Sequence, residues 1–314
     1  MQIVDILSLQ TIQGVGNKSL VSLIEFCRAN EIDSLSDLAM RDLSQVPALK
    51  RVSTALHRFF AEGRLLTTRS QCEVDLRQWE SQGISFVEFG STYYPRRLVD
   101  LNDPPAILVC RGNLELLSLP MSVAVVGTRE NTRIGEAIAQ RTVEHFARKG
   151  FCIISGLALG IDAIAHRAAL ENQGSTIAVV VDVLNVSPSS NRDLASRILQ
   201  NNGLLVSENL PGTKLIPAFF AKRDRIQSGL SLAVFAIETS VEGGTMHAVN
   251  AAITLRRPVF VPDPVAAKYT DLEERAISGT QLLVRDGRAI AYSRDTYVAI
   301  ERELHDVACR FAVV

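Results

Sequence analysis

The stretch Ser122-Val123-Ala124-Val125-Val126-Gly127-Thr128-Arg129, followed by Asn131-Thr132 and an amphipathic segment from about Arg133 to Lys149, decides the fold. Val123–Val126 is apolar on both faces of an extended chain, which suits a strand covered on two sides. Asn131 and Thr132 are candidate caps for the helix that follows, because a short polar side chain there accepts from an otherwise unpaired backbone N–H. The same texture recurs in Phe151–Ile154, Ile177–Val181, Leu204–Val206, Leu232–Ile237 and Val259–Val261, with helical stretches between them. Such alternation requires a parallel sheet with helices on both faces, so the expected core is a doubly wound α/β domain. A shorter repeat completes it, with Gln281–Val284 and Ala289–Tyr292 as strands and a last helix from about Arg294 to Val307.

Upstream the texture is helical, with apolar residues at three- and four-residue steps in Leu20-Leu23-Ile24, Leu35-Leu38 and Leu56-Phe59-Phe60. It changes at Gly83, where Ile84–Phe89 reads as a strand and Tyr94-Pro95 and Asp103-Pro104-Pro105 mark turns. The 314 residues therefore divide into a small all-α domain, residues 1–82, and an α/β domain, residues 83–314. With 33 Lys and Arg against 34 Asp and Glu, the net charge of −1 supplies no global attraction for nucleic acid, and any phosphate site must come from local clustering. The five cysteines are scattered and no cluster has metal-ligand spacing, so neither a metal nor a cofactor is expected. Met1 to Gln10 contains Asp5 and lacks a basic leader, and no apolar run approaches the roughly 20 residues that span a bilayer. The expectation is a cytoplasmic protein with no membrane partner.

In an open α/β sheet, ligands bind beyond the carboxyl ends of the strands, so the loops there carry the functional reading. Gly127-Thr128-Arg129 combines a glycine that permits close backbone approach, a helix entrance with free N–H groups and a guanidinium matched to phosphate. Ser155-Gly156-Leu157-Ala158-Leu159-Gly160-Ile161-Asp162 repeats the pattern, with His166 one helical turn beyond Asp162. Ser155 and His166 admit a hydrolase reading, but the G-x-S-x-G elbow is absent; Asp162 and His166 serve equally well as a pair that organises the loop. The third loop, Phe219-Phe220-Ala221-Lys222-Arg223-Asp224-Arg225-Ile226 with Lys214 upstream, interleaves rings and cations as single-strand binding requires. It also fits an amphipathic helix with solvated charges. Glu242-Gly243-Gly244-Thr245 places two more glycines before a helix, so four loops converge on one anion-binding rim.

Other motifs fail on spacing. There is no G-x-x-x-x-G-K-[ST] and no G-x-G-x-x-G after a strand. Ile12-Gln13-Gly14-Val15-Gly16 looks instead like a helix-hairpin-helix turn, whose amides contact DNA phosphates without reading sequence, and Leu43–Leu49 is a candidate degenerate copy.

Taken together, the sequence resembles the bacterial DNA-processing protein A family, also called DprA or Smf. The matching pieces are Tyr94-Pro95 with Leu98 and Asp103-Pro104-Pro105; Val125-Val126-Gly127-Thr128-Arg129; Ser155 to Asp162 with Ala165-His166; Gly174 to Val179; Pro188 with Asn191; Ser207-Glu208; Phe220 with Arg223, Arg225-Ile226 and Gly229-Leu230-Ser231; and Val259 to Pro262. The resemblance implies a helical domain joined to an extended Rossmann-like domain that binds single-stranded DNA without catalysis, forms a homodimer and delivers the strand to a RecA-type recombinase. It places Arg129, Phe220, Lys222, Arg223 and Arg225 on the DNA pocket, shaped by Gly127, Thr128, Ser155, Gly156 and Gly160.

Three departures stand out. Gly127-Thr128-Arg129 replaces the family's Gly-Ser-Arg and keeps the hydroxyl. Asp224 puts an anion where the family has asparagine, inside the basic loop. Glu242-Gly243-Gly244-Thr245-Met246-His247-Ala248 replaces a Ser-Gly-Ser loop and resembles the Gly-Gly loop of lysine-decarboxylase-like nucleotide-binding proteins. The alternative expectation is therefore a nucleotide-sensing or nucleotide-cleaving protein that uses the same rim for one phosphate.

Overall fold

The computed structural model describes residues 1–267, 269 and 274–312. The chain forms two compact units, Met1–Tyr94 with Asn102–Val109, and Pro95–Leu101 with Cys110–Val314. The first unit holds α1 (Ile3–Gln10), α2 (Asn17–Ala29), α3 (Leu35–Ala39), α4 (Ser53–Ala61), α5 (Arg64–Ser81) and β1 (Ile84–Glu88), with β2 (Ile107–Gly112) straddling the division. The expected helical spacing places Leu20, Leu23, Ile24, Leu35, Leu38, Leu56 and Phe59 in its core. Between α1 and α2, Gly14 takes φ 88° and Gly16 caps α2, so a tight turn joins the two helices. The stretch from Leu43 begins with a short 3-10 turn, Leu43–Gln45, in the connection between α3 and α4.

The second unit contains β3 (Ser122–Val126), α6 (Arg133–Arg148), β4 (Cys152–Ser155), α7 (Ile161–Glu171), β5 (Thr176–Val179), α8 (Arg192–Gln200), β6 (Leu204–Ser207) and α9 (Pro217–Leu230). It continues through β7 (Ala233–Ala236), α10 (Met246–Thr254), β8 (Val259–Pro262), α11 (Glu274–Arg285), β9 (Ile290–Tyr292) and α12 (Tyr297–Ala312). Strands β3 to β9 lie in the order β6-β5-β4-β3-β7-β8-β9. Every pair is parallel, with Ala124 of β3 opposite Ile154 on one side and Val234 on the other. Strand order runs outward from β3 through β4 and β5 to β6, then resumes beside β3 with β7. The reversal between β3 and β7 opens a crevice at their carboxyl ends, where doubly wound sheets bind ligands.

Burial explains the pairing. Strands β3 to β8 are inaccessible at every position, and on one face Phe146 packs against Phe235 at 4.8 Å between ring centres while Phe235 stacks on Phe260 at 5.1 Å. One strand expectation fails. Gln281–Val284 lies inside α11, because Ile277, Thr280 and Leu283 are buried at three-residue intervals and the helical period outweighs the short apolar run. Among the described residues, no helix is long and apolar enough to cross a membrane.

Candidate nucleic-acid interface

The loop after β3 is held from both sides. Thr128 donates its N–H to the Glu238 carbonyl at 2.8 Å, and its own carbonyl accepts from Ile161 N at 3.2 Å. Gly127 lies against Ile161, where a Cβ would come within 2.5 Å of Cγ1. Gly160, at φ 71° and ψ −129°, packs under the next peptide, where a Cβ would meet the Thr128 carbonyl oxygen at 2.3 Å and that of Arg129 at 2.7 Å. This fixes the backbone that presents Arg129, whose exposed guanidinium has no ion pair or hydrogen bond among the described residues.

Thr132 caps α6 as expected, accepting from Gly135 N at 3.0 Å. That helix entrance, however, is already occupied. The buried Glu238 carboxylate accepts from Thr132 N at 2.9 Å, Thr132 Oγ1 at 2.6 Å and the Tyr269 hydroxyl at 2.8 Å. The protein thus supplies its own anion to the positive end of α6, and a ligand phosphate near Arg129 must use other donors.

Helix phase sorts the basic loop. Phe220, Arg223, Asp224 and Gln227 recur at three- and four-residue steps on one face of α9 and line the crevice. Lys222 and Arg225 lie on another face, where both approach the buried Glu208 carboxylate, at 3.0 Å and 2.5 Å. Neither lines the crevice, nor does the exposed Lys214. The reason is the carboxylate at the end of β6, which draws two cations away from the switch point.

Arg223 is 5% exposed. Its guanidinium lies over Gly156, where a Cβ would sit 1.5 Å from Nη1 and 2.7 Å from Asp162 Oδ2, so only glycine leaves room. Two carboxyls flank it. Burial raises the Asp162 carboxyl above the usual range while Arg223 pulls it down, and the Ala158 N–H donates to Asp162 at 3.3 Å. Asp224, 3.2 Å from Arg223 and bonded by Gln227 at 2.8 Å, is pushed up to about 6 by burial, with Arg223 opposing and Asp162 adding to the rise.

Ser155 and His166 lie elsewhere. The buried Ser155 hydroxyl donates to the Val125 carbonyl at 2.7 Å, tying β4 to β3. His166 is inaccessible, faces Thr176 Oγ1 at 2.8 Å, and is driven by burial to about 3, so it is neutral at ordinary pH. Asp162 holds the loop at Ala158, His166 lies against both the Ser155 backbone at the loop's start and Thr176 of β5, and neither Ser155 nor His166 opens onto the crevice.

The loop after β7 forms the opposite wall. Gly243 donates to the Ser240 carbonyl at 3.0 Å and lies so close to Thr239 that a Cβ would be 2.4 Å from Oγ1. Gly244 has open space above it and Thr245 precedes the first turn of α10. The crevice is a cleft of about 450 Å³ that unites Gly127, Thr128, Arg129, Phe220, Arg223, Gly243, Gly244 and Thr245. His247 of the Gly-Gly loop also lines it, as do Gln227, Thr239 and Ser240, which no sequence motif singles out. Gln227 is discoverable only by extending the helical step from Phe220.

A parallel α/β sheet with a glycine-walled, arginine-bearing cleft at its switch point defines a Rossmann-like α/β protein. The chain belongs to the DNA recombination-mediator protein A family, whose model matches residues 85–301. The DNA processing protein DprA of Bacillus subtilis is 34% identical over 196 residues, 62% of this chain and 66% of that protein's own length. The X-ray structure of DNA processing protein A from Streptococcus pneumoniae superposes with a TM-score of 0.76 at 26% identity, covering 95% of this chain and 98% of that one. DNA processing protein A from Helicobacter pylori, whose structure concerns a single-stranded DNA binding mode, gives a TM-score of 0.61 at 26% identity over 70% of this chain and 96% of its own.

Proposed function

We propose that the cleft binds single-stranded DNA and that the protein acts as a recombination mediator without catalysing a reaction. The observation that carries this is the convergence of Arg129, Arg223 and the Phe220 ring on one cleft at the strand reversal. A guanidinium without a protein counter-ion favours a phosphate, the backbone of Gly127 and Gly244 admits close approach, and a ring beside the cations stacks on an unpaired base of any identity. Single-strand binding by the Helicobacter relative supports the same assignment. The reading extends to cytoplasmic homodimers that load a RecA-type recombinase on the bound strand.

The test is a titration of the full chain with labelled oligothymidylate, a duplex of equal length and a nucleoside monophosphate at two salt concentrations. Oligothymidylate is expected to bind most tightly, and Phe220→Ala to weaken it about tenfold, in line with ~1–3 kcal/mol for one stacked base. Tight binding of the monophosphate with poor binding of every oligonucleotide would favour the nucleotide-sensing alternative, for which Gly243-Gly244-Thr245 lines the same cleft.

Asp224 adds a pH dependence. Its carboxylate competes with a phosphate for Arg223, and it takes up a proton as the pH falls through about 6. Strand affinity is therefore expected to rise as the pH is lowered from 7.5 to 5.5. Asp224→Asn should bind more tightly at pH 7.5 and lose most of the slope. An unchanged pH profile in Asp224→Asn contradicts the competition.

A further inference from the structure

Two exposed arginines outside the cleft, Arg141 and Arg294, border a separate cavity of about 80 Å³ at the carboxyl ends of β8 and β9. Arg141 stands midway along α6, and Arg294 opens the turn that leads into α12. Neither makes an ion pair among the described residues. Arg141 Nε donates to the Ala137 carbonyl of its own helix at 3.1 Å, which leaves the outer nitrogens of both guanidiniums open to a ligand.

Beneath the arginines the floor is polar and closed. The buried Thr142 hydroxyl lies 2.8 Å from the hydroxyls of both Tyr292 and Tyr297. Burial raises both phenols above their ordinary range, while the charge of Arg141 opposes the rise at both and that of Arg294 opposes it at Tyr297. The two cations thus act on one small space. Asp263 also borders it, but one of its carboxylate oxygens accepts from Val265 N at 2.9 Å and Ala266 N at 3.2 Å within its own turn. Two guanidiniums against one carboxylate leave an excess of positive charge, and an unpaired guanidinium binds phosphate through short charge-assisted hydrogen bonds.

Size narrows the ligand. A cavity of this volume holds a few waters, enough for one phosphate group and too little for a base. Position supplies the source. Arg141 lies ~14 Å along α6 from the Thr132 cap, and Arg129 of the cleft stands just before that cap. The exposed Arg133 occupies the first turn between them. From the other side, the loop after β8 walls the cavity with Asp263 and reaches the α6 entrance with Tyr269, whose hydroxyl donates to Glu238. We propose that Arg141 and Arg294 form a second phosphate site, which takes a backbone phosphate of the single strand a few nucleotides beyond the part held in the cleft. This rests on the single-strand reading and extends it from one point of contact to a path along α6.

The experiment titrates the full chain with oligothymidylates from about 4 to about 16 nucleotides, the range of single-strand site sizes, with and without a 5′-phosphate. The double variant Arg141→Ala, Arg294→Ala should match the unaltered protein on the shortest strands, which the cleft alone holds. On the longest its affinity is expected to fall about tenfold, and its plot of log affinity against log salt to flatten by ~0.7, one phosphate fewer. Arg141→Lys, Arg294→Lys keeps both charges and should restore most of the slope. Equal binding by the alanine variant and its parent at every length would overturn the second site and leave the cleft reading intact. An equal loss at every length would overturn it too, by assigning both arginines to the cleft itself. A loss confined to 5′-phosphorylated strands would assign the cavity to a strand end and overturn the path. If no strand binds the unaltered protein, the single-strand reading fails, and this inference with it.

Discussion

Gly160→Ala is expected to destabilise the protein by about 3 kcal/mol, from ~1–3 kcal/mol for a side chain in a glycine-only backbone region together with a similar cost for steric overpacking. The clash is with backbone, since the added Cβ would lie 2.3 Å from the Thr128 carbonyl oxygen and 2.7 Å from that of Arg129. No rotamer change relieves it, and the loop carrying Arg129 must move. Stability by urea denaturation and strand affinity should fall together. Gly244→Ala, where a Cβ meets nothing within 4 Å, is the control and should leave stability nearly unchanged. A Gly160→Ala protein as stable as its parent would mean that the loop is looser than its hydrogen bonds to Glu238 and Ile161 imply.

Glu238→Ala is expected to cost about 3 kcal/mol, because removing a buried, hydrogen-bonded carboxylate strands its donors and leaves a void. Thr132 N–H and the Thr132 hydroxyl lose their acceptor, the Tyr269 hydroxyl loses its bond to the carboxylate, and the space opposite Gly135, where a Cβ would lie 2.3 Å from Glu238 Cδ, is left empty. Glu238→Gln retains one acceptor oxygen and should cost about 1 kcal/mol, the value of an ordinary net hydrogen bond. Urea denaturation of both variants measures the difference. Equal stabilities for the two would show that the carboxylate does not hold the α6 entrance.

These positions also show what sequence reasoning reaches. The strands from Val123 to Val261 are legible because burial on both faces leaves an unbroken apolar run, and the capping of α6 is legible because Thr132 precedes the amphipathic period. Gln281–Val284 misleads, since four residues are too few to separate a strand from part of a helix whose other buried positions, Ile277 and Thr280, lie upstream. Glycines of the four loops are visible as punctuation, but not their roles: Gly160 supports a peptide from beneath, Gly156 makes room for a guanidinium, and only Gly127, Gly243 and Gly244 line the cleft. The cations of residues 222–225 cannot be sorted from the string alone. Glu208 lies one loop upstream, at the end of β6, and its carboxylate draws Lys222 and Arg225 to itself while Arg223 turns to the switch point. Glu238 likewise competes for the α6 entrance through a contact more than a hundred residues away in sequence.

The measurement closest to the central claim is the salt dependence of oligothymidylate binding by Arg129→Ala beside the unaltered protein. Arg129 is exposed and makes no side-chain hydrogen bond or ion pair among the described residues, so the variant should keep its stability. Its affinity near 0.1 M salt is predicted to fall about tenfold, and its plot of log affinity against log salt to flatten by ~0.7, the contribution of one phosphate neutralised on a single strand. Affinity and slope both equal to those of the unaltered protein would contradict a phosphate site at the reversal between β3 and β7.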